Sequence, residues 1–331
     1  MSRRTEQQTA EQLPVSRPPL GRPLAVVADP ISASGLARLA EVFDVDASVS
    51  QTREGLYRRC AEADALIVRS ATRIDDGLIA ASGCLTVIGR AGVGLDNVDL
   101  EAAHRAGITV VNTPDANSVS AAEHAMALLL AVARHVPQAR QSMQEGRWDR
   151  TAFVGVELSG KTLAILGLGR VGRLVAERAN AFGMPIIGYD PYLPGTAAVP
   201  AYIRRVDSVT AAASAADFVT VHMPLTAETR NLIDSTAISK MPRGVRIINA
   251  ARGGIVNEGA LLAALEAGRC AGAGLDVFVE EPVTDRRLVD HPLVVATPHI
   301  GASTSDAQNR AGLQVADAVI SAFSARLQSI A

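Results

Sequence analysis

The stretch Thr162-Leu-Ala-Ile-Leu-Gly-Leu-Gly-Arg-Val-Gly172 decides the fold of this 331-residue chain. A short apolar run is followed at once by three glycines spaced as Gly-x-Gly-x-x-Gly, and a helical pattern continues over Val171–Phe182. In this context Gly167 permits a tight turn, Gly169 leaves room for a pyrophosphate, and Gly172 lets the helix pack closely on the strand. The pattern therefore predicts a strand–turn–helix unit that binds a dinucleotide.

Asp190 stands at the end of the next predicted strand, eighteen residues after Gly172. A carboxylate in this place accepts hydrogen bonds from the ribose 2′-hydroxyl of NAD and repels the 2′-phosphate of NADP. Pro191 and Tyr192 follow, so no arginine stands beside the acid to neutralise that phosphate. The sequence therefore favours NAD as the cofactor.

A second glycine motif, Gly155-Val-Glu-Leu-Ser-Gly-Lys-Thr162, matches the phosphate-binding pattern GxxxxGK[ST] letter for letter. A P-loop must follow a strand and open a helix, so that the helix N-terminus faces the phosphates. Here Lys161 and Thr162 lead into a strand instead. The context therefore argues against a P-loop.

Short β-rich runs alternate with helical stretches on both sides of the glycine turn, which is typical of parallel sheets covered by helices. Four strands are predicted before it, at Leu24–Ala28, Ala65–Val68, Leu85–Ile88 and Thr109–Asn112. Six more are predicted at Thr162–Leu166, Pro185–Tyr189, Phe218–His222, Arg246–Asn249, Gly272–Val277 and Val294–Thr297. A final helix, about Ser305–Leu327, has no strand left to pair with, and we expect it to return to the first sheet.

These elements predict an α/β fold with two doubly wound parallel-sheet domains. A Rossmann NAD-binding domain, residues 118–303, is expected to be inserted into a discontinuous, flavodoxin-like substrate domain of residues 23–117 and 304–331. One long helix, about 118–144, opens the inserted domain; its middle is apolar on all sides, so we expect it to be buried on more than one face. Residues 1–22 are predicted to be a disordered leader.

The composition excludes several classes of function. A formal net charge of −2 and only 3% aromatic residues argue against nucleic-acid binding. The longest apolar run, Ala125–Ala133, is nine residues long, well short of the ~20 that a membrane-spanning helix needs. The three cysteines are far apart and the six histidines lack metal-ligand spacing. We therefore expect no metal and a reduced, cytoplasmic environment.

Three polar residues, Arg252, Glu281 and His299, follow strands of the second series. Ligands of open α/β sheets bind at the carboxyl ends of the strands. Hydride removal from an alcohol carbon needs a base for the hydroxyl proton, a carboxylate to orient that base, and a cation to anchor the substrate. Histidine, glutamate and arginine suit these three roles, although Glu280 leaves the identity of the acid open from the residues alone.

Six stretches of the chain resemble the D-isomer-specific 2-hydroxyacid dehydrogenases, and the resemblance covers about residues 24–325. The stretches are Val68–Ile74, Gly89–Asn97, Gly167–Gly172, Asn249–Glu258, Gly274–Pro282 and Pro298–Thr304. The resemblance implies a catalytic triad of Arg252, Glu281 and His299, and it prefers Glu281 because the family's acid directly precedes proline. It implies a cofactor site formed by Val93, Gly167, Gly169, Arg170, Val171, Gly172, Asp190, Met223, Ala250, Ala251, Asp276, Gly301 and Ala302.

The resemblance also implies a substrate and an assembly. The substrate-binding candidates are Arg69, Ser70, Arg90, Gly92 and Arg150. Backbone amides near Gly92 suit a carboxylate, and clustered arginines suit a phosphate. We therefore expect NAD-dependent oxidation of D-3-phosphoglycerate to 3-phosphohydroxypyruvate, the first step of serine biosynthesis. The expected site lies in a cleft between the domains of a homodimer held by the helix 118–144.

Two departures from the family pattern keep an alternative open. Val93 and Met223 stand where the family often has threonine, so each position lacks a hydroxyl that binds cofactor or substrate. A reductase of another 2-keto acid, such as hydroxypyruvate or glyoxylate, is the alternative enzyme. A dinucleotide-sensing protein like the co-repressors of this fold is a third possibility, disfavoured because the triad is complete.

Overall fold

The computed structural model describes residues 21–48, 52–194 and 197–330. The chain divides into two compact units: unit 1 is Met1–Asn117 with Ser305–Ala331, and unit 2 is Ser118–Thr304. The predicted leader lies outside the described residues except for its last two. Both units contain parallel sheets flanked by helices, which confirms the predicted fold class.

Unit 1 is built on a parallel sheet of five described strands in the order β2-β1-β3-β4-β5, the order of flavodoxin-like sheets. The strands are β1 (Leu24–Val27), β2 (Asp44–Asp46), β3 (Ala65–Val68), β4 (Val87–Arg90) and β5 (Thr109–Asn112). The helices between them are α1 (Ala33–Leu39), α2 (Arg53–Cys60), α3 (Asp76–Ala81) and α4 (Leu100–Arg105). The predicted count of four strands is wrong, because β2 is a three-residue edge strand, Asp-Val-Asp, with little apolar character.

Both faces of the unit 1 sheet are covered, because successive strand residues point to opposite sides. In β3, Leu66 packs with α2, α3 and α4, and Ile67 packs on the other face. The C-terminal helix, Ser305–Ile330, covers the Ile67 face, so it returns to the first sheet as expected. A Cβ at Gly89 in β4 would lie 2.5 Å from a methyl group of Val319 on that helix, so glycine permits this close packing.

Unit 2 is built on a parallel sheet of seven described strands in the order β12-β11-β10-β9-β6-β7-β8. The strands are β6 (Leu163–Leu166), β7 (Ile186–Tyr189), β8 (Ile203–Arg205), β9 (Phe218–Val221), β10 (Val245–Asn249), β11 (Cys270–Leu275) and β12 (Val294–Ala296). The first six strands of the unit follow the doubly wound nucleotide-binding order, and the direction of winding reverses between β6 and β9. The predicted count of six is wrong, because β8 is a short edge strand of Ile-Arg-Arg.

The helices of unit 2 cover both faces of its sheet. They are α5 (Ser118–Arg134), α6 (Val136–Gln144), α7 (Arg170–Ala181), α8 (Val209–Ala213), α9 (Ser235–Lys240) and α10 (Glu258–Glu266), with a short 3₁₀ turn at Arg150–Ala152. In β6, Leu163 and Ile165 pack with α5 and α7, and Ala164 and Leu166 pack with α8, α9 and α10. Each of the described helices is too short or too polar to cross a bilayer.

The predicted single helix over 118–144 is wrong, because the chain breaks between α5 and α6. His135 has a left-handed backbone with φ of 53°, a conformation that interrupts a helix. Pro137, near the start of α6, has no N–H to donate to the preceding turn. α5 itself is buried on two sides, against the sheet and against α7, as its apolar sequence predicts.

Candidate active site

The glycine turn between β6 and α7 has the geometry of a pyrophosphate cradle. Gly167 has φ of 102°, which favours glycine. A Cβ at Gly172 would lie 1.9 Å from the carbonyl oxygen of Gly167, so only glycine lets α7 begin this close to the strand. A Cβ at Gly169 would meet no atom within 4 Å, which leaves open space in front of the first turn of α7. The turn therefore fits a phosphate group held by backbone amides.

The second glycine motif has no such geometry. Gly160 lies in a turn with φ of 73°, and Lys161 and Thr162 continue directly into β6. A strand follows the motif in place of a helix, so its backbone amides do not form a helix N-terminus. The structure excludes a P-loop here, as the sequence context indicates.

Asp190 ties the end of β7 to the glycine turn. One carboxylate oxygen accepts a 2.8 Å hydrogen bond from the backbone N–H of Leu168, and the other accepts one of 2.9 Å from Tyr192. Arg205 in β8 donates to the carbonyls of Leu193 and Pro194, in the loop that follows Asp190. The acid is therefore positioned beside the cradle, and this arginine is engaged in holding the adjoining loop.

His299 and Glu281 form a hydrogen-bonded pair at the carboxyl ends of β11 and β12. The imidazole Nδ1 lies 2.7 Å from Glu281 Oε2, and the backbone N–H of Phe278 donates to Oε1 at 3.0 Å. Glu280 instead accepts a hydrogen bond from the hydroxyl of Thr284. Because Nδ1 faces a carboxylate, it carries the proton, and Nε2 is left to exchange a proton with a ligand.

Arg252 lies on the loop that follows β10, the strand beside β11. Its backbone carbonyl accepts a 2.9 Å hydrogen bond from the buried Asn249, and its Nη1 donates to the carbonyl of Ala251 at 2.7 Å. A Cβ at Gly253 would lie 1.8 Å from the carbonyl oxygen of Phe278, so this loop touches the loop that carries Glu281. The structure thus joins the histidine and glutamate directly and places Arg252 on the adjacent loop.

Asp276 fixes the turn that carries His299. Its carboxylate is fully buried and accepts hydrogen bonds from the Thr297 hydroxyl at 2.6 Å and from the N–H groups of Ile300 and Gly301 at 2.8 Å each. Burial alone would raise the pKa of this acid, but these hydrogen bonds and one from His124 outweigh burial and lower the pKa. Asp276 is therefore held as a carboxylate, and its predicted contact with the cofactor stays a prediction.

Two residues of this network were outside the sequence prediction. His124 Nε2 in α5 lies 3.0 Å from Thr297 Oγ1 and 3.2 Å from Asp276 Oδ1. Ser120, one helical turn earlier, bonds the hydroxyl of Thr304 at 2.8 Å. The only signal in the sequence is a histidine at the edge of an otherwise apolar helical segment.

The remaining predicted cofactor residues line the same edge of the unit 2 sheet, apart from Val93, which belongs to unit 1. Arg170 and Val171 open α7, and Ala250 and Ala251 follow β10. Met223 is buried after β9, and its Cγ would lie 2.9 Å from a Cβ at Gly167, so this side chain packs against the cradle. Gly301 and Ala302 belong to the His299 turn. Their cofactor contacts stay predictions.

In unit 1, the predicted substrate loop Arg69–Ser70 follows β3 and is held from two sides. Asp29 accepts hydrogen bonds from the N–H of Arg69 at 2.6 Å and from the N–H and hydroxyl of Thr72 at 3.1 and 2.7 Å. The Asn97 side-chain amide donates to the carbonyls of Arg69 and Thr72 at 2.8 and 2.6 Å. The loop is therefore rigidly positioned, with the Ser70 side chain exposed.

Arg90 and Gly92 lie together at the end of β4. A Cβ at Gly92 would lie 1.6 Å from Nη1 of Arg90, so the guanidinium folds back over the glycine, whose φ is 148°. The Gly92 N–H donates to the carbonyl of Arg90, and the Ala91 N–H donates to Val68. The predicted carboxylate contact near Gly92 stays a prediction. Arg150, in unit 2, is exposed in the short 3₁₀ turn.

Within residues 21–48, 52–194 and 197–330, no cluster of three or more histidine, cysteine, aspartate or glutamate side chains could hold a metal ion. The geometry is that of a site for hydride transfer beside a dinucleotide. The glycine cradle, Asp190 and the hydrogen-bonded pair of Glu281 and His299 all stand at the carboxyl edge of one sheet.

Residues 126–301 match the family described as D-isomer specific 2-hydroxyacid dehydrogenase, NAD binding domain. The chain belongs to this family, and NAD is the cofactor that the matched domain binds. Among solved structures, the chain is similar to the TT0316 protein from Thermus thermophilus, with 33% identity and a TM-score of 0.83. That similarity covers 91% of this chain and 97% of that one.

Two further relatives differ in the substrates that their names state. A glyoxylate reductase from Paecilomyes thermophila is 30% identical with a TM-score of 0.82, over 91% of this chain and 95% of that chain. D-3-phosphoglycerate dehydrogenase 2, chloroplastic, from Arabidopsis thaliana is 48% identical over 316 residues, which are 95% of this chain and 50% of that protein. The chain spans about half the length of the curated relatives it matches.

Proposed function

We propose that this chain catalyses NAD-dependent oxidation of D-3-phosphoglycerate to 3-phosphohydroxypyruvate, as a D-3-phosphoglycerate dehydrogenase. The observation that carries the proposal is the 2.7 Å contact between His299 Nδ1 and Glu281 Oε2, on the same sheet edge as the glycine cradle. Relatives named for this activity at 47–51% identity support the choice of substrate. The proposed roles of the two units are NAD binding by unit 2 and substrate binding by unit 1.

The proposed mechanism assigns the proton and the substrate to separate side chains. His299 Nε2 takes the hydroxyl proton at C2 as hydride leaves the same carbon. Glu281 keeps the Nδ1 proton in place and stabilises the imidazolium that forms. Arg252 binds the substrate carboxylate and polarises the reacting oxygen through its guanidinium. When bound, NAD supplies the acceptor for the hydride.

The cofactor proposal rests on the fit of the residues to a dinucleotide. The cradle of Gly167, Gly169 and Gly172 would hold the pyrophosphate, and Asp190 would accept hydrogen bonds from the adenosine ribose. The loop after Asp190 begins Pro-Tyr-Leu-Pro and has no arginine in those four positions. Repulsion between the acid and a 2′-phosphate therefore favours NAD over NADP.

In unit 1, Arg69 and Arg90 are proposed to bind the substrate phosphate, and the Ser70 and Gly92 regions to bind its carboxylate. Asp29 and Asn97 support this proposal, because they fix the backbone of Arg69 from both sides. Arg150 is proposed as a further phosphate ligand for the neighbouring subunit. The guanidinium group suits this role because it binds phosphate through two parallel hydrogen bonds.

A second candidate is a reductase of hydroxypyruvate or glyoxylate. Met223 and Val93, which lack the family's hydroxyl, favour it, and so does the similarity to a structure named as a glyoxylate reductase. The two candidates differ in one group, the substrate phosphate. They are therefore separated by comparing phosphorylated and unphosphorylated keto acids.

The test follows NADH oxidation with 3-phosphohydroxypyruvate, hydroxypyruvate and glyoxylate, each repeated with NADPH. We expect the highest kcat/KM with 3-phosphohydroxypyruvate and NADH. A preference for hydroxypyruvate by about tenfold or more in kcat/KM, equal to about 1.4 kcal/mol of transition-state binding, would overturn the substrate assignment. Absence of turnover with all three acids, with the cofactor still bound, would favour the dinucleotide-sensing function.

We also propose that two copies associate through α5 and α6, the region 118–144. Val136 and Met143 on α6 are each 55% exposed, and Trp148 and Val154 beyond it are 73% and 78% exposed. Four large apolar side chains exposed within one short stretch of the chain support a protein interface. A cytoplasmic location stays a prediction.

A further inference from the structure

We infer that α5 is a positioning element for the catalytic turn, acting through His124 and Ser120 on the segment 297–304 that carries His299. The inference deepens the proposed function and rests on it, because it concerns the same acid–base histidine. His124 and Ser120 are four residues apart and so share one face of α5. One contacts the start of the segment, and the other contacts its end.

The protonation of His124 follows from the hydrogen-bond geometry. The hydroxyl proton of Thr297 is donated to Asp276 Oδ1 at 2.6 Å, so the hydroxyl oxygen can only accept from the histidine. His124 Nε2 also faces Asp276 Oδ1 at 3.2 Å. A bare ring nitrogen would face two acceptor oxygens there, so Nε2 carries the proton and shares it between them.

This shared proton orients the carboxylate that builds the turn. Asp276 accepts the N–H groups of Ile300 and Gly301, and its carbonyl accepts the N–H of His299 at 2.8 Å. His299 has a left-handed backbone with φ of 54°, a strained conformation for a residue other than glycine. The strain is sustained because the hydrogen bonds on both sides of His299 fix the backbone.

Close packing leaves little room for an alternative arrangement. A Cβ at Gly301 would lie 3.0 Å from Asp276 Oδ2 and 3.7 Å from Cδ2 of His124, so the turn lies directly against the helix side chain. Ser120 is 5% exposed and fixes Thr304 at the other end. The helix therefore holds the backbone that aims the His299 ring at Glu281.

The test compares His124→Leu, which deletes the donor, with His124→Gln, whose side-chain N–H₂ reaches the same two oxygens. His104→Leu, on the exposed end of α4, is the matched control. Amide hydrogen exchange of residues 297–304 is measured alongside kcat and the KM for the keto acid. The exchange measurement reports on the turn even if the enzyme accepts none of the proposed substrates.

For His124→Leu we expect faster exchange of the Ile300 and Gly301 amides and a fall in kcat of about tenfold to a hundredfold. The KM for the keto acid, whose proposed phosphate ligands lie in unit 1, should change much less. His124→Gln should restore most of the lost amide protection and most of the lost kcat. Unchanged exchange in His124→Leu would overturn the inference, as would faster exchange with an unaltered kcat. If His124→Leu fails to fold, Thr297→Val deletes the shared hydroxyl without altering α5 and is judged by the same readouts.

Discussion

Unit 1 and unit 2 each hold a candidate functional loop with an aspartate carboxylate that lies just after a strand of the parallel sheet. Asp29 follows β1 and accepts two backbone N–H groups and one threonine hydroxyl from the loop after the neighbouring strand β3. Asp276 follows β11 and likewise accepts two backbone N–H groups and one threonine hydroxyl from the loop after β12. In both units, a buried carboxylate at a strand end fixes a loop that carries a residue with a proposed functional role, Arg69 in unit 1 and His299 in unit 2.

The two loops differ in the second side chain that holds them, in addition to the aspartate. In unit 1, Asn97 donates its side-chain amide to two backbone carbonyls. In unit 2, His124 Nε2 lies within hydrogen-bond distance of the carboxylate and the hydroxyl themselves. The comparison teaches that the loop of Arg69, a proposed substrate ligand, is fixed through its backbone on both sides. The loop of His299, the proposed acid–base residue, is fixed through the orientation of one charged group, the Asp276 carboxylate.

Replacing Asp276 and Asp29 in turn by asparagine should separate the positioning of His299 from the positioning of the Arg69 loop. Asp276→Asn places an N–H₂ group against N–H donors, so we expect kcat to fall on the order of a hundredfold. Asp29→Asn should chiefly raise the KM for the keto acid, by about tenfold, because it loosens the Arg69 loop at a cost near 1.4 kcal/mol. Steady-state kinetics checks both variants. The comparison fails if the two substitutions change kcat and KM in the same proportion.

Asp190 extends the comparison, because it is a third strand-end carboxylate that accepts a loop amide and is also proposed to bind the ribose. Asp190→Ala should weaken NAD binding by about tenfold and NADP binding much less, since the acid's repulsion of the 2′-phosphate is also removed. Fluorescence titration measures both affinities, with the exposed Asp207→Ala as the control. Equal weakening of the two cofactors would refute the ribose assignment.

The sequence predicted the main features of the fold because they depend on local patterns. The alternation of strands and helices and the glycine turn beginning at Gly167 are readable from composition and spacing. The edge strands β2 and β8 were not predicted because each has only three residues, most of them polar. Such a segment becomes a strand only when a neighbouring strand is there to pair with it. The break at His135 depends on one left-handed residue and Pro137, inside an otherwise continuous helical pattern.

The site was predicted in part for the same reason. His299, Glu281 and Arg252 each follow a recognisable strand, so their common edge follows from parallel topology. The choice between Glu281 and Glu280 depends on which side chain turns toward the imidazole, which spacing does not determine. His124 lies 175 residues from His299 along the chain. Its contact with the catalytic turn arises only from the packing of α5 on β11 and β12.

The central claim is that the imidazole of His299, paired with the carboxylate of Glu281, moves the proton during hydride transfer. The most direct test of this claim compares substitutions of the adjacent acids Glu280 and Glu281. The kcat of Glu281→Gln and Glu280→Gln is compared at equal, saturating NAD. We predict a loss of about 10²-fold or more in Glu281→Gln alone, because Glu281 contacts Nδ1 of His299, whereas Glu280 bonds the hydroxyl of Thr284. Equal kcat in the two variants, or a larger loss in Glu280→Gln, would contradict the account.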